Sequence, residues 1–151
     1  MKAVFNEIRV KSILKTTKKV NFKSFLTFLY FLGGYMKNQN SKSKVTKRKL
    51  SKCKEVCRTY NDIQYAYCDY LQADSSIVEF QCNVILTDFA IEGQYSTDFV
   101  CTKASGDIIV RECVSRDKLT KPLNIKLLDA SRSYWLRRGI KDWGIVVNAE
   151  N

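Results

Sequence analysis

Residues 97–114 read Thr97-Asp98-Phe99-Val100-Cys101-Thr102-Lys103-Ala104-Ser105-Gly106-Asp107-Ile108-Ile109-Val110-Arg111-Glu112-Cys113-Val114. Two runs rich in β-branched and apolar residues flank Ala104-Ser105-Gly106, a three-residue loop with glycine third. That position of a hairpin loop takes positive φ, which glycine adopts without steric cost. Counting outward from the Lys103/Asp107 pair sets Thr102 against Ile108, Cys101 against Ile109, Val100 against Val110 and Phe99 against Arg111. Asp98 then falls against Glu112. Two carboxylates facing each other across a ladder are destabilising unless one is protonated or a cation compensates them. Mg²⁺, a hard oxygen-seeking ion, is the natural cation for such a pair. A two-residue Ser105-Gly106 turn is the other reading, and it would set Asp98 against Cys113 and separate the carboxylates.

The elements around the hairpin follow from periodicity. Val56, Tyr60, Ile63, Tyr67 and Tyr70/Leu71 recur at steps of four and three, which predicts a helix over Glu55–Gln72. Ile77–Leu86 reads as a strand with a break at Asn83. Pro122 opens a second helix that ends before Gly139, with a core stripe of Leu123, Leu127, Ala130 and Tyr134. Leu128 and Trp135 lie beside that stripe. Trp143–Asn148 is a final strand. The order α-β-β-β-α-β predicts a small α/β domain with a central mixed sheet flanked by helices. Tyr60, Tyr67, Tyr70, Tyr134 and Trp135 fall on the helical stripes and read as packing rather than base-stacking residues.

The chain has 151 residues, 26 Lys+Arg, 15 Asp+Glu and no histidine. The length suits one small domain plus an arm. The missing histidine excludes Ser-His-Asp triads, Cys-His pairs and His-bearing zinc sites. The charge divides sharply: residues 1–54 hold a single acid, Glu7, while 14 acids fall in 55–151. A basic, flexible and solvated arm, 36–54, is therefore expected to precede a slightly acidic domain, 55–151. Its run of Lys37, Lys42, Lys44, Lys47, Arg48, Lys49, Lys52 and Lys54 attracts a polyanion by counterion release, and nucleic acid is the expected partner. Arg116, Lys121 and Lys126 cluster at the start of the second helix as further phosphate contacts.

Residues 25–32 form an apolar run far short of a membrane span. The strongly basic stretch after it opposes export, so a cytoplasmic protein with no membrane partner is expected. The chain's two methionines are Met1 and Met36. Gly33-Gly34 before Met36 fits a ribosome-binding purine tract, so residues 1–35 read either as misannotated upstream sequence or as an N-terminal helix. Cys53, Cys57, Cys68, Cys82, Cys101 and Cys113 contain no C-x-x-C pair, the spacing by which zinc sites are usually recognised. They read as buried or half-buried thiols.

The order strand-Asp98, hairpin, strand-Glu112, helix, strand resembles the PD-(D/E)XK core of restriction-endonuclease-like nucleases. More narrowly, it is similar to the N-terminal catalytic domain of TnsA-type endonuclease subunits of heteromeric transposases, over residues 60–149. The run 71–80 (LQADSSIVEF) resembles that family's helix end, turn and apolar strand. Thr97-Asp98-Phe99 stands where the family has Pro-Asp-Phe, and Arg111-Glu112-Cys113-Val114 stands at its (E/Q)-V-K-type motif. Tyr134-Trp135, Arg138-Gly139-Ile140 and Asp142–Val147 resemble its closing helix and strand. The resemblance implies Mg²⁺ or Mn²⁺ held by Asp98 and Glu112 for phosphodiester hydrolysis at transposon ends. It also implies a transposase partner from the same mobile element. Two departures stand out: the family's motif lysine falls on Val114, and its helix glutamate on Gln64. Lys118, four residues on, is the candidate replacement cation, the alternative being a solvated loop residue. Three functions follow: an active nuclease subunit, a catalytically degenerate DNA-binding or assembly subunit of the same fold, and a basic accessory protein whose arm alone meets nucleic acid.

Overall fold

The computed structural model describes residues 6–8, 45–91 and 93–148, the first three by backbone alone. In chain order the elements are β1 (Asn6–Ile8), β2 (Thr46–Arg48), β3 (Cys57–Thr59), α1 (Asp62–Ala73), β4 (Ile77–Ile85), β5 (Ser96–Lys103), β6 (Ile108–Cys113), α2 (Arg116–Leu119), α3 (Pro122–Arg137) and β7 (Asp142–Val147). The fold is mixed α/β. One sheet runs β1-β7-β6-β5-β4, and β2 and β3 form a separate two-stranded sheet. β4, β5 and β6 are an antiparallel meander, and β7 returns parallel to β6 after the α3 crossover.

The central hairpin adopts the three-residue loop. Phe99 pairs with Arg111, Val100 with Val110, Cys101 with Ile109 and Thr102 with Ile108. Lys103 N–H donates to the Asp107 carbonyl at 2.9 Å, Gly106 N–H donates to the Lys103 carbonyl at 2.9 Å, and Gly106 has φ +86°. The Ser105-Gly106 register is thereby excluded. Asn83, the expected break in β4, has φ +53°.

The sheet is covered on both sides. One core holds Tyr67, Cys68 and Leu71 of α1 against Ile77, Phe80, Phe99, Cys101, Ile109, Cys113 and Val146. The second holds Tyr134 and Trp135 of α3 with Leu86 and Val110, and Tyr95, Val100 and Trp143 pack against them. β6 is buried over Ile109–Cys113 because helices cover both its faces. Arg111 sits in this interior as an ion pair: its Nη2 lies 2.9 Å from Asp142 Oδ1, and Lys103 shares that carboxylate at 3.1 Å.

Three expectations change. The first helix begins at Asp62, not Glu55, because Asn61 caps it by accepting from Gln64 N–H at 2.9 Å. Residues 57–59 instead alternate buried-exposed-buried as a strand paired with β2. Val56, Tyr60 and Tyr70 are accordingly exposed rather than core. In α3 the buried stripe is Leu128, Ser131, Tyr134 and Trp135, while Leu123 is 65% exposed. Finally, residues 45–54 pack onto the domain instead of forming a flexible arm. Arg48 pairs with Asp69, Lys54 with Glu79, and Lys52 Nζ donates to the Asp74 carbonyl at 2.6 Å. Cys53 also bridges to Phe80 of β4. The charge asymmetry that marked the arm thus serves partly as internal complement, its cations meeting the domain's acids. Residues 9–44, with Lys44 and both readings of the N-terminal segment, lie outside the described residues apart from the alignment of residues 6–8 on β7. No helix among the described residues is long and apolar enough to cross a membrane.

Candidate carboxylate site

Asp98 occupies the point where the ladders open. Beyond the Phe99/Arg111 pair the strands no longer exchange backbone bonds, and on the other side the β4 ladder pairs Cys82 with Phe99 and Val84 with Thr97, omitting Asn83 and Asp98. Carboxylates fill the gap. Asp98 N–H donates to Glu112 Oε2 at 3.2 Å, and Asp98 Oδ2 accepts from Cys113 N–H at 2.6 Å. The two acids therefore meet as the hairpin register predicts, joined through backbone amides that the ladder would otherwise use.

They lean toward different helices. Gln64, in the first turn of α1, donates from Nε2 to Asp98 Oδ1 at 2.6 Å. Its own carbonyl is fixed by Tyr60 N–H at 2.7 Å, which sets the amide orientation so that a donor faces Asp98. Glu112, only 2% exposed, turns toward α3. Its Oε1 accepts from Thr97 Oγ1 at 3.0 Å and from Ser131 Oγ at 2.5 Å. Those hydroxyls are in turn held by the chain's two tryptophans. Trp135 Nε1 donates to Thr97 Oγ1 at 2.8 Å and Trp143 Nε1 to Ser131 Oγ at 3.2 Å. The Tyr95 hydroxyl adjoins Ser131 and Glu112 as well, and burial raises its pKa above the ordinary phenol value.

The electrostatics follow from this enclosure. Burial raises the pKa of Glu112, and the neighbouring Asp98 charge raises it further, against the opposing pull of the Ser131, Asp98 and Thr97 donors. Asp98 is partly open to solvent, and desolvation by its dense surroundings still raises its pKa. Its hydrogen bonds from Cys113 and Gln64 offset only part of that, and no ion pair reaches it among the described residues. The two acids are the oxygen donors at this point that could hold a hard divalent cation, with the Gln64 amide adjacent, and each of their four oxygens already accepts a hydrogen bond from the chain. An open groove of about 400 Å³ shares Tyr60 and Ser96 with this end of the sheet and carries exposed Arg58 on its wall.

The other expected residues are more scattered. Lys118 is exposed on α2, and no described contact joins it to either carboxylate; its carbonyl accepts from Asn124. Val114 is half-buried at the motif-lysine position. Lys47 and Lys49 are exposed beside β2, whereas Arg48, one residue apart, points inward to Asp69, the Tyr65 carbonyl at 2.7 Å and the Tyr65 ring. Arg116 Nε donates to the Asn148 carbonyl at 3.0 Å, and exposed Lys121 and Lys126 flank the start of α3. Thr97, Ser131, Tyr95 and both tryptophans were not singled out for the site by the sequence. A polar Ser131 between Leu128 and Trp135 on one helix face was the available signal. No protein-family model matches the chain, and a search of curated proteins finds no relative.

Proposed function

We propose that this chain is a TnsA-like, restriction-endonuclease-like DNA nuclease subunit that acts on DNA phosphodiesters with Mg²⁺ or Mn²⁺ at Asp98 and Glu112. The observation that carries the reading is the convergence of Gln64, Asp98 and Glu112, three positions 34 and 14 residues apart, at the open end of one hairpin. The succession α1-β4-β5-β6-α3-β7, with an antiparallel meander and a parallel return, supports it. When bound, the cation would supply charge stabilisation and an activated water. The chain's own residues do the rest. Cys113 N–H and Gln64 hold the Asp98 carboxylate, Ser131 and Thr97 fix Glu112 beside it, and Trp135 and Trp143 hold those two hydroxyls in place. Exposed Lys47, Lys49, Lys121 and Lys126 would position the duplex backbone without reading sequence. A recombinase-type transposase is the partner this reading implies.

One observation favours a second reading, a degenerate DNA-binding or assembly subunit. Gln64 presents a donor to Asp98 where a ligand would present an acceptor, and Glu112 Oε1 already accepts two hydroxyls. Nicking of supercoiled plasmid by the full chain with Mg²⁺ or Mn²⁺ separates the two. Cleavage abolished by Asp98→Ala supports the nuclease, duplex binding without cleavage supports the degenerate subunit, and the absence of both contradicts each.

A further inference from the structure

Four of the six cysteines, a C-x₃-C pair and two single residues further along the chain, gather at one point. Cys57 Sγ lies 3.0 Å from Cys68 Sγ and 3.1 Å from Cys82 Sγ, and Cys53 Sγ lies 3.7 Å from Cys82 Sγ. The sulfurs of Cys53, Cys57 and Cys82 all fall within 4.8 Å of one another, with Cys68 adjoining Cys57. Each comes from a different element. Cys53 sits in the segment that bridges to Phe80, Cys57 is on the buried face of β3, Cys68 is on the inner face of α1, and Cys82 is on β4. Tetrahedral thiolate ligation at ~2.3 Å places sulfurs roughly 3.8 Å apart; Cys53, Cys57 and Cys82 gather at about that spacing, and Cys68, 3.0 Å from Cys57, is the fourth thiol at hand. Neutral thiols are weak donors and acceptors, and hydrogen bonding among themselves gives little reason to draw four of them together.

The surroundings complete the case. The Arg48 guanidinium lies within electrostatic range of both Cys57 and Cys68. Its Nε is the described buried polar side-chain atom without a hydrogen-bond partner, although both of its other nitrogens are engaged. A guanidinium N–H beside a thiolate cluster offsets the surplus negative charge of four thiolates on a dication, the usual role of groups behind the ligands. Cys57 and Cys68 are fully buried while Cys53 and Cys82 are half-buried, which gives a closed site with an entry side.

We propose that Cys53, Cys57, Cys68 and Cys82 form a tetrahedral Zn²⁺ site that fastens the β2–β3 sheet, with its basic strand, to α1 and β4. The Cys53-x₃-Cys57 pair falls within the spacing of zinc ligands, but Cys68 and Cys82 are single cysteines, so the fold rather than the sequence supplies the second half of the site. Cys68 lies one turn beyond Gln64, so the same ion anchors the helix that reaches Asp98. The site stands independently of any nuclease activity.

The test is metal analysis of the full chain, expressed with zinc supplementation and purified reduced without chelator. One zinc per chain is expected. Cys57→Ser and Cys82→Ser are expected to lose at least four-fifths of it, while Cys101→Ser and Cys113→Ser, buried thiols outside the cluster, retain it. Because the cluster variants could misfold, Co²⁺ loading of the wild type provides a second readout: thiolate-to-Co²⁺ charge transfer and intense tetrahedral d–d absorption are expected. Folded wild-type protein without zinc and without that spectrum would overturn the proposal. So would iron in zinc's place, zinc retained in both cluster variants, or a mass lower by two or four hydrogens marking disulfides.

Discussion

Replacing Glu112 with Gln tests the electrostatic reading of the carboxylate pair most sharply. Glu112 is 2% exposed, and its pKa is pushed from the usual 4.5 up to about 8. An unfolded chain ionises this group near its ordinary value, whereas the folded chain holds the proton until much higher pH. Between those values the folded state binds more protons than the unfolded one, so stability falls as pH rises. The contribution is complete below about pH 4.5 and is lost by about pH 8. At 1.36 kcal/mol per pH unit, the displacement bounds the loss at about 5 kcal/mol. Asp98, pushed up to about 6, contributes the same sign over a narrower window. Urea unfolding followed by tryptophan fluorescence suits the measurement, because both tryptophans donate to the hydroxyls that hold Glu112. Without added Mg²⁺, the wild type is expected to lose several kcal/mol between pH 5 and 8, on the order of half this bound or more. Glu112→Gln, which cannot ionise but still accepts from Ser131 and Thr97, is expected to remove most of that slope. A wild-type stability that is flat or rising over this range, or an unchanged slope in Glu112→Gln, would refute the reasoning.

Other expectations follow from single contacts. Ser131→Ala removes the 2.5 Å donor to Glu112 and the acceptor of Trp143 Nε1, and it should lower unfolding stability by ~1–3 kcal/mol, measured by urea midpoint. Gly106→Ala meets nothing within 4 Å, so its cost is the backbone at φ +86° alone, ~1–2 kcal/mol, visible as a lower Tm with unchanged ligand behaviour. Lys47→Ala should weaken duplex binding and reduce the salt slope by about 1, as loss of one phosphate contact does. Arg48→Ala should instead destabilise the fold, because its guanidinium is engaged with Asp69 and Tyr65. A titration of log K against log salt for the pair distinguishes these roles.

Much of this arrangement is legible in the residues. The Ala104-Ser105-Gly106 loop sets the hairpin register by local chemistry, and that register alone brings Asp98 to Glu112. Gln64 was placed beside them by family resemblance, and its amide does reach Asp98. Three features were hidden for physical reasons. The start of α1 was obscured because Val56 and Tyr60 continue a helical period by chance, while the Asn61 cap, a short-range hydrogen bond, overrides it. The α3 stripe is offset by one residue because Ser131, a polar residue, faces inward to serve Glu112. The cysteine cluster is completed by long-range packing of β3, α1 and β4, so the short Cys53/Cys57 spacing alone did not announce Cys68 and Cys82 as its partners. The arm looked solvated because charge composition does not reveal which cations will find acids such as Asp69 and Glu79 across the fold.

The most direct measurement on the proposed function is calorimetric titration of Mn²⁺ into the full chain, with and without duplex DNA, alongside Asp98→Ala and Glu112→Ala. Manganese prefers oxygen ligands, so the thiol cluster does not compete. Saturable binding by the wild type, strengthened by duplex and lost in both variants, is the predicted result. A wild type that binds no Mn²⁺ in either condition, or variants that bind as well as it does, would contradict a cation site at Asp98 and Glu112.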